Sequence, residues 1–165
     1  MNKFTKNKKG YAILELLFYI SFFILVSLVV INAMIVMSQS FKEVTVLSEQ
    51  LKSGAIMERI SREIKQALSI NLISSNSLKL NTKDDLDNDK TIEFSFSGTN
   101  IEFRENDVLV GNLNTANIII SQLSFTEITT ATGKAVKVFL AAKSKNDKYD
   151  RQINFYNTIA LRGSY

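Results

Sequence analysis

The feature that most constrains this chain is an apolar run of 27 residues at positions 11–37, in which Glu15 is the only charged residue. As a helix the run would be about 40 Å long, enough to cross a hydrocarbon layer of about 30 Å. A carboxylate inside such a segment costs up to roughly 3 kcal/mol on insertion scales, so it usually indicates a partner charge within the membrane. The run therefore predicts a transmembrane helix over residues 11–37, in which Glu15 has a functional partner.

The segment before this run, residues 1–10, carries the whole net charge of the chain. Removing its four lysines from the 20 Lys and Arg residues leaves 16, which equals the number of Asp and Glu residues. The positive-inside rule then predicts a cytoplasmic leader and places the chain beyond residue 37 across the membrane. A secretory signal peptide would instead have a shorter apolar core with a cleavage site after it. The neutral body offers no evident nucleic-acid surface. The four lysines are Lys3, Lys6, Lys8 and Lys9.

Composition excludes most catalytic chemistry. The chain of 165 residues contains neither Cys nor His, which removes disulfides, thiol nucleophiles, imidazole bases and the usual zinc sites. Its length allows one modest domain and an anchor. The acids of the second half fall at outward strand or turn positions, where solvated charge is expected. We therefore expect a protein that is not an enzyme.

After the transmembrane run, the apolar residues recur at helical spacing. Steps of three and four indicate an amphipathic helix over residues 38–69, in which Gly54 is the one weak point. No Pro occurs in the chain, so the helix is expected to continue unbroken from the membrane to about Ser69. Its apolar stripe is predicted to be core, and consists of Phe41, Val44, Leu47, Leu51, Met57, Ile60, Ile64 and Leu68.

Residues 70–165 alternate apolar and polar side chains with period two, which predicts strands. Turns are expected at residues 97–100 and at Asn106-Asp107. The predicted fold class is α+β, a long N-terminal helix packed on an antiparallel meander that forms an extracytoplasmic β-rich head. The predicted strands are residues 78–80, 92–96, 101–103, 108–110, 118–125, 135–142 and 152–161.

The residues Lys8-Lys9-Gly10-Tyr11, followed by Glu15 and an uninterrupted apolar helix, resemble the N-terminus of type IV pilins and type II secretion pseudopilins. The resemblance implies that a prepilin peptidase cuts the Gly10–Tyr11 bond and that the amine of Tyr11 is then methylated. It also implies filament assembly through Glu15, the fifth residue after the cut. The implied location is the cytoplasmic (inner) membrane, crossed once. The implied partners are other pilin or pseudopilin subunits, the peptidase and the inner-membrane assembly platform.

The pattern favours a minor subunit of a type IV pilus, or of a type II secretion or competence filament. Major pilins often have Pro where this chain has Asn32, and many close a C-terminal loop with a disulfide, which is impossible here. The strand-rich head looks most like the J-type minor pseudopilins or related minor pilins. Two alternatives are a single-pass anchored binding domain with an uncleaved leader, and a small β-protein or enzyme released from an atypical signal peptide.

A second candidate site is the acidic segment at residues 84–89, between two predicted strands. Asp85, Asp87 and Asp89 alternate as the oxygen ligands of calcium loops do. An EF-hand would require Gly where Lys90 stands and Glu where Phe96 stands. The segment is therefore read first as a solvated acidic turn, with weak calcium binding by the three aspartates as the alternative. No other cofactor is expected.

Overall fold

A computed structural model describes residues 8–84, 86–130 and 133–162, without the side chains of residues 8–10 and 130. The first element, α1, is one helix of 59 residues, Lys8–Gln66. The predicted continuation beyond the apolar run is confirmed, and the helix ends three residues before the predicted position. Two compact units are present, Met1–Lys42 and Glu43–Tyr165. The second unit therefore contains the last part of α1 together with all the strands.

In the described residues, eight antiparallel strands form two sheets, where a single meander was expected. The first sheet has the order β1-β2-β3-β4-β5 and the second has the order β6-β7-β8. Each strand pairs only with neighbours in sequence, so both sheets are meanders, and the α+β class is confirmed. The strands are β1 Ser69–Ile73, β2 Ser77–Lys83, β3 Asp89–Ser97, β4 Asn100–Glu105, β5 Val108–Asn112, β6 Ile118–Thr130, β7 Gly133–Ser144 and β8 Gln152–Ala160.

The two predicted turns are present and have the expected backbone. Gly98 has φ of 63° between β3 and β4. Asn106 and Asp107, between β4 and β5, have φ of 50° and 65°. Two successive residues with positive φ are what a two-residue hairpin needs to match the twist of its strands. Asn and Asp tolerate this conformation better than other residues with a side chain.

The buried face of α1 differs from the predicted stripe. Met57, Ile60 and Ile64 are buried as expected, whereas Phe41 in the first unit, three apolar residues of α1 in the second, and Leu68 beyond the helix end are exposed. The reason is the step of six residues from Leu51 to Met57, which turns the helix by about 240° and so changes the apolar face. The three exposed residues on the part of α1 in the second unit form an apolar ridge, consisting of Val44, Leu47 and Leu51. The buried face of α1 consists of Val46, Glu49, Ser53, Ile56, Met57, Ile60, Ser61 and Ile64, and Ala67 just beyond the helix is buried as well.

One core joins the helix to both sheets. It contains the apolar residues of α1 from Ile56 onward and the inward residues of β2, β3, β4, β6, β7 and β8. Phe94 and Leu140, one from each sheet, are fully buried. Burial of side chains of this size contributes about 1.5–3 kcal/mol each, so this core is the main source of the head's stability.

Asn114 connects the two sheets. Its side chain is buried, and its Oδ1 accepts a hydrogen bond from the backbone N–H of Ile101 at 2.9 Å. Its Nδ2 donates to the carbonyl of Ile118 at 2.8 Å and to the carbonyl of Thr99 at 3.3 Å. These partners lie at the start of β4 and of β6, so one amide group joins the edges of both sheets.

Two sets of polar contacts hold the helix against the end of the second sheet. Glu49 is only 4 % exposed, and its carboxylate accepts hydrogen bonds from the Ser144 hydroxyl and from Asn146 Nδ2, the latter at 2.8 Å. Arg151 donates to Glu43 Oε2 at 3.0 Å and to Asp147 Oδ2 at 2.8 Å. The connection between β7 and β8 is thereby fastened to α1.

Acid is expected to weaken this connection. The Arg151 guanidinium, with the backbone N–H groups of Tyr149 and Arg151, lowers the pKa of Asp147 from 3.8 to about 2. A lowered carboxylate pKa contributes stability that is present above about pH 4 and is lost as the pH falls through about 2. In acid unfolding curves, the Asp147→Asn variant should lose less stability than the wild type between pH 4 and pH 2. Equal pH dependence of the two proteins would contradict this assignment.

Gly54 should accept a methyl group at no steric cost. A Cβ built there would lie 3.6 Å from Cε1 of Phe155, which is ordinary van der Waals contact. Because Gly in a helix interior costs about 1 kcal/mol relative to Ala, Gly54→Ala should stabilise the head by about 0.5–1 kcal/mol. Chemical denaturation of the full chain in detergent would measure the gain. A loss of stability would show that the helix needs to bend at this point.

Candidate assembly site at the N-terminal helix

The Gly10–Tyr11 bond lies in the first turn of α1, since the helical backbone begins at Lys8. This turn is a weak part of the helix for two reasons. The first four N–H groups of any helix lack intrahelical partners. The first turn here also has no acidic residue, and Lys8 and Lys9 place positive charge at the positive end of the helix dipole. An extended backbone at this bond therefore requires the unwinding of only one loosely held turn. Residues 1–7 lie outside the described part of the chain.

Glu15 lies one turn after Tyr11, and both side chains are exposed on the same face of the helix. Glu15 Oε1 accepts a hydrogen bond from the hydroxyl of Tyr19 at 3.0 Å. Tyr19 was not predicted from the sequence as a site residue, although its spacing of four residues from Glu15 indicates that the two side chains can meet. The tyrosine supplies a neutral donor to a carboxylate that has no cation beside it among the described residues of the first unit.

The described side chains of the first unit form no core of their own. From residue 11 to residue 42 every side chain is exposed except Ser27, which is half-buried. A window of 18 residues has a mean hydropathy of 2.7, and none of it is buried. By length and composition α1 is thus able to cross a membrane. An uncovered apolar surface of this extent requires lipid or other protein around it.

The acidic connection between β2 and β3 is closed by its own hydrogen bonds. Asp84 Oδ1 accepts from the backbone N–H groups of Leu86 and Asn88, and Oδ2 accepts from Asn88 Nδ2. These bonds from Asn88 lower the pKa of Asp84. Asp87 Oδ1 accepts from Lys83 Nζ at 2.9 Å, and the backbone of Asp87 is left-handed.

The calcium hypothesis stays a prediction. Asp85 lies outside the described residues, and Asp89 is an exposed residue at the start of β3. The described ranges contain no group of three or more Asp or Glu side chains arranged to hold a metal ion.

Comparison of the chain with protein-family models, with curated proteins and with solved structures finds no match.

Proposed function

We propose that this protein is a minor pilin or pseudopilin, a structural subunit of a type IV pilus or of a type II secretion or competence filament. In this proposal it is anchored once in the cytoplasmic membrane with the leader inside and the head outside. The observation that carries the proposal is the combination of the Lys8-Lys9-Gly10-Tyr11 junction with a solitary Glu15 in an apolar helix that continues into the head.

The proposed assembly step is a pairing of charges. Cleavage after Gly10 leaves a cationic amine on Tyr11, at the positive end of the helix dipole, where a nearby carboxylate is favourable. In a filament the carboxylate of Glu15 in one subunit neutralises the amine of Tyr11 in a neighbour, so that two costly buried charges become a pair. Before assembly, the hydroxyl of Tyr19 stabilises the free carboxylate. Cleavage would therefore be the step that permits assembly.

Two exposed surfaces are available for helix packing in such a filament. The first unit leaves its apolar side chains uncovered, and the apolar ridge leaves Val44, Leu47 and Leu51 uncovered in the second. The other proposed partners are the prepilin peptidase, which would cut at Gly10–Tyr11, and the inner-membrane assembly platform.

Mass spectrometry of the protein extracted from membranes tests the proposal. We expect a mature chain that begins at Tyr11 with a methylated amine, and a Gly10→Val variant that accumulates uncut. Gly10 is chosen because a side chain at that position would obstruct binding by the peptidase. An intact N-terminal leader would favour an anchored binding domain. A chain that lacks residues 11–37 would favour a released β-protein.

A further inference from the structure

The second sheet, β6-β7-β8, has one face on the core and one face exposed to solvent. Val138 and Leu140 of β7 are fully buried, and Asn157 of β8 donates a hydrogen bond to the Ser61 hydroxyl of α1, so these residues lie on the inner face. Side chains alternate between the two faces along a strand, so the intervening residues of the three strands lie on the outer face. On β8 the outward residues are exposed from the first to the last.

The strand register arranges the middle of this outer face in three adjacent rows, and the central row contains two aromatic side chains. Phe139 of β7 pairs with Tyr156 of β8, and their ring centroids are 4.8 Å apart with the planes inclined by 35°. Tyr156 is 68 % exposed. We call the surface formed by the three rows the open face. The rows are Thr126, Lys137 and Thr158; Ser124, Phe139 and Tyr156; and Gln122, Ala141 and Asn154.

The polar side chains beside the aromatic pair are available to a ligand. Asn154 Oδ1 accepts one hydrogen bond, from Gln152 Nε2 at 2.9 Å, and the amino group of Asn154 donates to no other described residue. Hydroxyl and amide groups can both donate and accept, which suits a ligand that is itself rich in hydroxyl groups. The other side chains of the open face that form no hydrogen bond within the described ranges are those of Gln122, Ser124, Thr126 and Thr158.

The open face carries one charge that has no counter-ion, and this charge is positive. Lys137 is exposed and forms no ion pair with the described residues. The next outward lysine of β7, Lys143, is bonded to Asp150 at 2.8 Å and is therefore neutralised. No acidic side chain belongs to the three rows. A single free cation suits a ligand with widely spaced carboxylates, whereas a nucleic acid needs a line of cations along its phosphates.

We propose that the open face binds an acidic polysaccharide, an extended chain of 1,4-linked uronic acids. The chain lies along the central row, across the strands, because the distance between the rings of Phe139 and Tyr156 is close to the length of one sugar unit. Each ring packs against the apolar C–H face of one sugar.

The two outer rows bind the polar groups of the same chain. Successive sugars of a β-1,4-linked chain point to opposite sides, so every second carboxylate lies on the side of Lys137 and forms a charge-assisted hydrogen bond with it. On the other side, the amides of Gln122 and Asn154 bind sugar hydroxyls. The aromatic rings thus set the position of the chain, and Lys137 selects an acidic chain over a neutral one.

Calorimetric titration of the full chain, in a detergent without a sugar headgroup, tests this site. The probes are a hexamer of β-1,4-linked mannuronate, the matching neutral hexamer of β-1,4-linked mannose and a hexamer of thymidylate. We expect the mannuronate hexamer to bind at least about tenfold more tightly than the other two, with an affinity that falls as salt screens Lys137. Absence of mannuronate binding, or equal or tighter binding of the neutral hexamer, would overturn the proposal. Equal or tighter binding of thymidylate would assign the open face to single-stranded nucleic acid instead.

Matched variants locate the binding on the open face. Tyr156→Ala should lower the affinity for the mannuronate hexamer at least about tenfold, because it removes one of the two stacking rings. Tyr149→Ala removes a tyrosine of the same exposure from the connection between β7 and β8 and should leave the affinity unchanged. Lys137→Gln should abolish the preference for the acidic hexamer, whereas Lys148→Gln, at an exposed lysine of the same connection, should retain it. Equal effects of the test and control variants would also refute the site.

The inference does not depend on cleavage at Gly10. An uncut N-terminus together with intact mannuronate binding would contradict only the proposed function. A correctly cut chain that binds no mannuronate would contradict only the polysaccharide site.

Discussion

Replacement of Glu15 by Ala is expected to leave membrane insertion and cleavage intact but to reduce incorporation into filaments at least about a hundredfold. Insertion should become easier, because a carboxylate in the membrane costs up to roughly 3 kcal/mol. Assembly should fail because the amine of Tyr11 would be buried without its partner, a loss of about 3–5 kcal/mol. The measurement is the amount of subunit in sheared filaments divided by the amount in the membrane fraction, compared between the variant and the wild type.

Two further variants of the same helix serve as controls for this experiment. Ser21→Ala removes a hydroxyl whose hydrogen bond goes to the carbonyl of Leu17, and it should assemble normally. Tyr19→Phe removes only the donor that stabilises the free carboxylate of Glu15 before assembly, so it should not reduce incorporation. Normal incorporation of Glu15→Ala would refute the charge-pair account even if cleavage at Gly10 is found.

Replacement of Asn114 by Asp is expected to destabilise the head by about 3 kcal/mol or more. The two side chains have nearly the same shape, and the Oδ1 bond from the N–H of Ile101 can persist. The other carboxylate oxygen, however, would face the carbonyls of Thr99 and Ile118 with no proton between them. A buried charge against two acceptors costs more than the loss of a hydrogen bond.

Thermal unfolding of the full chain in detergent measures this effect. A loss of about 3 kcal/mol corresponds to a fall of about 10 °C in Tm for a head of this size. Asn112→Asp makes the same chemical change at an exposed position two residues earlier and should shift the Tm by little. Lowering the pH should rescue the Asn114→Asp variant, because a protonated carboxyl can donate again. A Tm close to that of the wild type at neutral pH would mean that Asn114 does not hold the two sheets together.

Much of the fold could be predicted because local patterns determine it. The continuous apolar run, the absence of Pro and the turn residues Asn106 and Asp107 each led to elements that the structure contains. The first strand was missed because a bulge between Ile70 and Leu72 interrupts its alternation. The division into two sheets depends on whether β5 pairs with β6. Asn114 joins the edges of the two sheets, and its bonds to Ile101 and Thr99 connect residues 13 and 15 positions apart.

The face of the helix that packs against the sheets was the least predictable part of the head. Apolarity alone favoured a stripe that includes Leu47 and Leu51, but the buried position between them is occupied by Glu49. A glutamate becomes a buried residue only where donors such as Ser144 and Asn146 meet it, about 95 residues further along the chain. Gly10, Tyr11 and Glu15 were identified from the resemblance and stay predictions of function, as do Asp85, Asp87 and Asp89.

The pairing of each strand only with its neighbours in sequence also determines how the head can fold. Among the described strands none pairs with one distant in sequence, so every pairing closes a short loop, and such topologies fold quickly. The chain has no proline to isomerise and no cysteine to oxidise, which removes the two slowest common steps. Such a head can form its sheets one hairpin at a time, from the N-terminal strand to the C-terminal one. This is also the order in which the strands would emerge from a narrow channel.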